Sequence, residues 1–414
     1  MIQMETPRKY RGLIEQARAM AQNVLRPISR KYDRAEHSYP KELDVIAAVI
    51  DGMNSATGGT AGASHTRRSD ASEEGQKGQK GQKGQARVTR NGGNLATVYS
   101  IQEVCWGDVG LTLSLPRQGL GNAAIAAVAN DEQLARYGNK WVAMAITEPH
   151  FGSDSAAVRT TATLEGDEWL LNGEKIYVTA GERADALVVW ATLDRSAGRA
   201  AIKPFLVPRD APGLTLVRLE KKLGIRASDT AAFALVNCRI PKDNLLGSPV
   251  VDTQKGFGGV MQTFDNTRPL VAGMALGLAR AALEETRKHL EGAGVKFDYD
   301  TAPVAQSAAV VAFQEMEADY EAARLLTLKA AWMADNSQPN ALQASMAKAK
   351  AGRMVVDVTL RCVELCGAVG YSEDELLEKW SRDAKILDIF EGTQQIQVLI
   401  VARRLLGKNS KELR

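Results

Sequence analysis

Between Val142 and Cys238 the chain is written in short runs rich in β-branched and aromatic residues, and this block constrains the fold more than any other feature. The runs are VAMAIT (142–147), EWLLN (168–172), KIYVT (175–179), ALVVWAT (186–192), IKPFLVP (202–208), GLTLVRL (213–219) and AFALVNC (232–238). Turn signals at Glu165-Gly166-Asp167, Asn172-Gly173 and Pro212-Gly213 separate them. Strands this short and this closely spaced predict a compact all-β domain that closes near Pro241-Lys242-Asp243-Asn244.

Both flanks follow a helical period instead. Leu13, Ile14, Ala17 and Met20, then Val24 and Leu25, then Leu43, Val45, Ile46, Val49 and Ile50, fall on apolar stripes of helices with one buried face. Helical patterning resumes from about Leu95 to Tyr137, and again over 259–291, 303–335, 340–365 and a closing helix. The expected class is α+β: an N-terminal α-helical domain (1–140), a middle β-barrel-like domain (141–247) and a C-terminal four-helix bundle (248–414).

One segment fits none of these. Residues 55–93 carry GGTAGAS, RRSDASEEG and three GQK repeats between Gly75 and Lys83, and nothing there can bury an apolar face. The segment reads as a loop. Arg67, Arg68, Lys77, Lys80, Lys83, Arg87 and Arg90 outweigh Asp70, Glu73 and Glu74, which suits either a solvated spacer or an anionic partner.

Composition excludes several classes. At 45% hydrophobic and 24% charged, the 414 residues are those of an ordinary globular protein. A net charge of +3 is too small to argue for nucleic acid, and no stretch approaches the roughly 20 apolar residues of a membrane span. MIQMETPRKYRGL lacks the apolar core of a signal peptide, so the expected location is cytoplasmic. Cys362 and Cys366 lie one helical turn apart, but the four histidines are scattered at 37, 65, 150 and 289, so core packing is expected and no metal.

Ala384–Gly407, AKILDIFEGTQQIQVLIVARRLLG, carries the chemistry. An apolar approach (Ile386, Leu387, Ile389, Phe390) meets a break at Glu391-Gly392-Thr393. Thr393 stands where a helix needs an N-cap, and Gly407 supplies a stop after Arg403 and Arg404. A carboxylate between Phe390 and a glycine, beside the free N–H groups of a helix start, suits a desolvated general base. A solvated glutamate ahead of a helix is the plain alternative.

The run Phe390-Glu391-Gly392-Thr393-Gln394-Gln395-Ile396-Gln397 resembles the active-site segment of the acyl-CoA dehydrogenases, flavoenzymes that desaturate acyl-CoA thioesters. The resemblance extends from about Tyr99 to Gly407. It includes Thr147-Glu148-Pro149-His150-Phe151-Gly152-Ser153-Asp154, Tyr177-Val178-Thr179 and Asp265-Asn266-Thr267-Arg268-Pro269. It implies FAD as cofactor, held by Met144, Ile146, Thr147, Gly152, Ser153, Tyr177, Val178, Thr179, Thr393 and Gln395. Acyl-CoA would lie against Ser153, Asp265, Arg268 and Gly392. Glu391 would take the α-proton while the β-hydrogen leaves as hydride to flavin N5, giving a trans-2-enoyl-CoA. The N–H of Glu391 and a ribityl hydroxyl would polarise the thioester oxygen. An electron-transferring flavoprotein would then accept the electrons.

Departures from the family pattern matter as much. Met144 replaces a common aromatic, and His150-Phe151 replaces a small pair, which reshapes the substrate mouth; His150 reads as a turn residue. The insertion stands where the family has a short turn near the substrate pocket. Val295 takes the place of an arginine that family members lend to a neighbour's FAD, with Lys296 beside it as a point charge. Glu364 takes the place of a glutamine on the same surface. The chain therefore reads as keeping its own flavin site and losing the part it would lend, which points to a hetero-oligomer. A homo-oligomer (dimer or tetramer) with rearranged contacts is the alternative. A non-catalytic partner subunit and a nucleic-acid-associated member using the basic loop are rival readings. The fold is shared with flavin oxidases. Fatty acyl and steroid side-chain substrates are equally compatible.

Overall fold

The computed structural model describes residues 6–48, 91–117, 120–251, 258–409 and 412, with the side chains of 126, 127 and 258–266 excepted. The expected loop therefore lies outside the described residues except at its last three positions, 91–93, and so does the side chain of Asp265.

The N-terminal stripes form α1 (Arg11–Met20), a π turn (Ala21–Leu25), α2 (Arg26–Arg34) and α3 (42–48). Beyond the undescribed segment come α4 (Gly93–Gly107), α5 (Val109–Leu113), α6 (Leu120–Val128) and α7 (Asp131–Tyr137). Asp335 caps α4, its carboxylate accepting from the N–H groups of Gly92 (2.8 Å), Asn94 (2.8 Å) and Leu95 (3.1 Å). Glu103 at the middle of α4 accepts Arg280 (2.6 and 2.8 Å) and Arg18 (3.1 Å), tying it to two other helices.

The middle of the chain is a curled seven-stranded sheet: β1 (Val142–Ala145), β2 (Thr161–Glu165), β3 (Glu168–Thr179), β4 (Ala186–Thr192), β5 (Ile202–Pro208), β6 (Leu214–Leu219) and β7 (Thr230–Pro241). The order is β1-β4-β2-β3-β7-β6, with β5 on β4. Two readings of the sequence need correction. Asn172-Gly173 is not a turn but a bulge inside one long strand, where the β3–β7 register shifts between Leu171 and Gly173. Gly173 runs so close to Thr160 that a Cβ would lie 2.4 Å from its Oγ1. TATLE, passed over in the sequence, is the first arm of a hairpin with β3 through Glu165-Gly166-Asp167. The inner face buries Trp169, Leu171, Val178, Phe205, Phe233 and Leu235. The outer face, with Val142, Val188 and Trp190, packs under Ala124 and Ile125 of α6.

The C-terminal region contains α8 (Gly258–Gly292), α9 (Ala308–Asp335), α10 (Ala341–Tyr371), α11 (Leu377–Ile389) and α12 (Gln394–Leu406). The apolar approach to Glu391 is thus itself a helix, so the bundle gains a fifth member. Its core is rich in small side chains and includes Ala275, Leu276, Leu278, Ala279, Ala347, Ala351, Val355 and Leu387. All four cysteines are free thiols; Cys105, Cys238 and Cys362 are buried and Cys366 half-buried. Glu285 and His289, one turn apart on α8, meet Glu375 with ligand atoms within 4.8 Å of one another, and Lys288 donates to Glu285 at 2.9 Å.

A buried charge cluster joins the three regions. Lys379 of α11 donates to Asp108 Oδ2 (2.8 Å) and to Asp383, and Asp383 accepts the N–H of Ile225 from the β domain. Asp108 also accepts the Ser29 hydroxyl and caps α5 through the N–H of Leu111 (2.7 Å). The helix that leads into Glu391 is thereby fixed against both other regions.

Candidate active site

α11 stops at Ile389, Phe390 is extended, and the next two residues take left-handed backbone: Glu391 at φ +56° and Gly392 at φ +90°. A left-handed glutamate is strained backbone of the kind that clusters at functional sites. Thr393 then caps α12 by accepting the N–H of Ile396 (3.3 Å), and Gly407 ends it at φ +63°, both as the sequence predicts.

The Glu391 residue is half-buried and its carboxyl desolvated. Burial raises its pKa; a hydrogen bond from Thr267 Oγ1 (3.0 Å) and the charges of Arg268 and Lys348 pull the other way. The net direction is upward, which suits a group that must collect a proton. Arg268, expected on the substrate, is buried in the bundle with Nη1 3.5 Å from Ser345 Oγ. Lys348 is fully buried on α10 and donates to the Gly392 carbonyl at 2.8 Å. Gln397 Nε2 donates to the carbonyls of Glu391 (3.1 Å) and Gly392 (3.3 Å). The backbone at φ +90° favours glycine at 392, and a Cβ there would lie 2.4 Å from that nitrogen and push the Gln397 amide away.

Of the expected flavin residues, Met144, Ile146, Thr147, Gly152 and Ser153 lie at and beyond the C-terminal end of β1, Tyr177, Val178 and Thr179 end β3, and Thr393 and Gln395 lie at the start of α12. Met144, Ile146 and Thr147 are half-buried, and Gly152 and Ser153 are exposed. Glu148 anchors this loop: its buried carboxylate accepts the N–H of Arg159 (2.7 Å) and Thr160 (2.9 Å), the Thr160 hydroxyl (2.6 Å) and the Lys175 ammonium (2.8 Å). Lys175, fully buried, also reaches the Ile146 carbonyl at 3.2 Å, and the Thr147 carbonyl accepts the N–H of Ile176 (2.9 Å). Burial lowers the Lys175 pKa to about 8 although Glu148 opposes the shift.

Two observations make this surface suitable for a flat, bulky cofactor. Among the described residues beyond its chain neighbours, the nearest atom to where a Gly152 Cβ would stand is Thr147 Cγ2 at 3.9 Å, so their packing leaves that space open. Tyr177 is turned outward at φ +55° by a second β3 bulge and is 61% exposed, while Val178 faces the core and offers only backbone. Thr179 is half-buried and Gln395 exposed. His150 is exposed and edge-on to Phe151, itself under the guanidinium of Arg159 at 4.8 Å.

Residues 143–238 match the acyl-CoA dehydrogenase middle domain, and residues 254–406 match the acyl-CoA dehydrogenase C-terminal domain. The chain is 33% identical over 405 residues to the mitochondrial short-chain specific acyl-CoA dehydrogenase of Homo sapiens, covering 97% of this chain and 91% of that one. The chain belongs to the acyl-CoA dehydrogenase family. A Mus musculus short-chain specific acyl-CoA dehydrogenase is 41% identical over 270 residues, a match spanning 65% of this chain but only 64% of the mouse protein. The butyryl-CoA dehydrogenase of Megasphaera elsdenii superposes with a TM-score of 0.79 at 27% identity, covering 98% of this chain and 100% of that one.

Sequence reasoning missed Glu148, Lys175, Thr267, Lys348 and Gln397. Lys348 had a signal: it shares the apolar stripe of Ala344, Ala347 and Ala351, where a solvated lysine has no place. Gln397 lies one turn beyond Thr393, hence under the break it bonds.

Proposed function

We propose that this family member is an FAD-dependent acyl-CoA dehydrogenase that desaturates an acyl-CoA thioester to its trans-2-enoyl product, with Glu391 as base. The observation that carries the proposal is a desolvated carboxyl of raised pKa, held in left-handed backbone by Gln397 and Lys348. Glu391 removes the α-proton; its own backbone N–H is the candidate donor to the thioester oxygen. Met144, Ile146, Thr147, Ser153, Tyr177, Thr179, Thr393 and Gln395 would hold FAD, with Gly152 and Val178 offering backbone. FAD, when bound, supplies the acceptor for the hydride from the β-carbon. Ser153, Asp265 and Gly392 remain candidates for acyl-CoA. Arg268 acts on the base from inside the bundle.

The short-chain relatives favour a short acyl group, and an electron-transferring flavoprotein is the acceptor we propose. Among the described residues no helix is long and apolar enough to cross a membrane, and we place the protein in the cytoplasm. For assembly, Val295 is half-buried against the bundle, and the nearby Arg287 is committed to Glu291 (3.1 Å) and Glu317 (3.2 Å). Exposed Glu364 adds a carboxylate to the surface where the family pattern has a glutamine. These support a hetero-oligomer whose sister subunit contributes the missing arginine. Purification of the chain alone, with mass and flavin occupancy measured, tests this; a stable homo-oligomer with full occupancy excludes it.

A further inference from the structure

We propose that Lys348 is the positioning residue of the base: its buried ammonium grips the Gly392 carbonyl, aims the Glu391 carboxylate and sets a cation beside it. The inference rests on Glu391 being the base and deepens that reading.

An ammonium inside an alanine-lined bundle is costly unless a partner compensates for lost water. Lys348 is fully buried, and its hydrogen-bond acceptor is the carbonyl next to Glu391, at 2.8 Å. Glu391 and Gly392, at φ +56° and +90°, are the strained pair that this bond and the two from Gln397 restrain. Gln397 alone could fix the geometry, but it is neutral. Lys348 adds charge.

The charged groups facing Lys348 come from three elements: Asp388 on α11, Arg268 on α8 and Glu391 itself. Asp388 is shared with Lys385 (3.0 Å) and Arg353 (3.7 Å), so it is not a dedicated counter-ion. Arg268 and Lys348 both favour ionised Glu391, and Thr267 donates to it at 3.0 Å. Burial brings Lys348 down to about 8, so its support for the carboxylate fades as pH passes that point.

The test compares full-length wild type with Lys348→Met and Lys348→Arg. The first readout needs no turnover: an infrared pH titration of the carboxylic-acid C=O band, assigned to Glu391 as the band that Glu391→Gln removes. In Lys348→Met the band should survive to higher pH than in wild type, and Lys348→Arg should move it back. The second readout is kcat/KM, which should fall more on the acid limb of its pH profile than on the alkaline side, each pH unit by which the limb moves being about tenfold. A merely structural lysine would lower activity alike at every pH. If Lys348→Met does not fold, Lys348→Gln, uncharged but still a donor, gives the same comparison. A band that titrates identically in a folded, uncharged variant and wild type overturns the proposal. A displaced band in a protein whose Glu391→Gln form still turns over supports the Lys348 coupling and refutes the base assignment.

Discussion

Replacing Lys379 with methionine tests how the three regions are held together. The ammonium is buried beside two carboxylates, 2.8 Å from Asp108 Oδ2 and in direct contact with Asp383. Methionine keeps most of the volume, so the loss isolates the charge. Removing one partner of a buried ion cluster costs about 3–5 kcal/mol. Unfolding entropy of ~2.1 cal/mol/K per residue over 414 residues gives ~0.9 kcal/mol/K, so a melting curve should drop by ~3–6 °C. The pH dependence has a definite sign. Burial already raises the Asp383 pKa against the opposing pull of Lys379, and losing the lysine raises it further. A carboxyl with a raised folded pKa binds its proton more tightly when folded. The variant's stability is therefore greatest below the unfolded aspartate pKa and falls as pH rises toward the folded one. Adding Asp383→Asn should recover part of the loss and flatten the dependence. A Lys379→Met melt within 1 °C of wild type at pH 7, or a deficit that shrinks as pH rises from 5 to 8, would refute the reasoning.

Three further outcomes are expected. Gly392→Ala places a Cβ 2.4 Å from Gln397 Nε2 at φ +90°, so it should cost about 1–3 kcal/mol in a melt and lower kcat on the order of 10²-fold. Glu148→Gln leaves Lys175 buried without its counter-ion; destabilisation of about 3–5 kcal/mol and a lower flavin-to-protein absorbance ratio should follow, and full flavin retention would contradict the anchor. Because Glu391 acts ionised and its pKa is raised, kcat/KM should climb with pH through an acid limb above the ordinary carboxylate range. A profile already flat from pH 5 upward would show a base that burial does not perturb.

The parts of the architecture legible in sequence were those written locally. Helical stripes, β-rich runs and caps depend on neighbours a few residues away, and so Thr393 and Gly407 fell where expected. Local grammar failed where a distant partner decided the outcome. Asn172-Gly173 is a turn signal by composition, but pairing with β7 stretches it into a bulge, and Thr160 fills the space that a side chain would need. α11 was hidden because its buried face includes Lys379, Asp383 and Asp388, polar residues that read as surface until their partners are known. The same holds at the site. Glu391 announced itself through its flanks, whereas Thr267 and Lys348, 124 and 43 positions earlier in the chain, reach its segment only through the packing of α8 and α10.

The visible spectrum of the purified protein, alone and with short-chain acyl-CoA, tests the central claim most directly. A bound flavin that bleaches on adding substrate, and no longer bleaches in Glu391→Gln, is the result predicted here. Flavin that bleaches equally well in Glu391→Gln, or a protein that stays colourless both alone and with a co-expressed sister subunit, would contradict it.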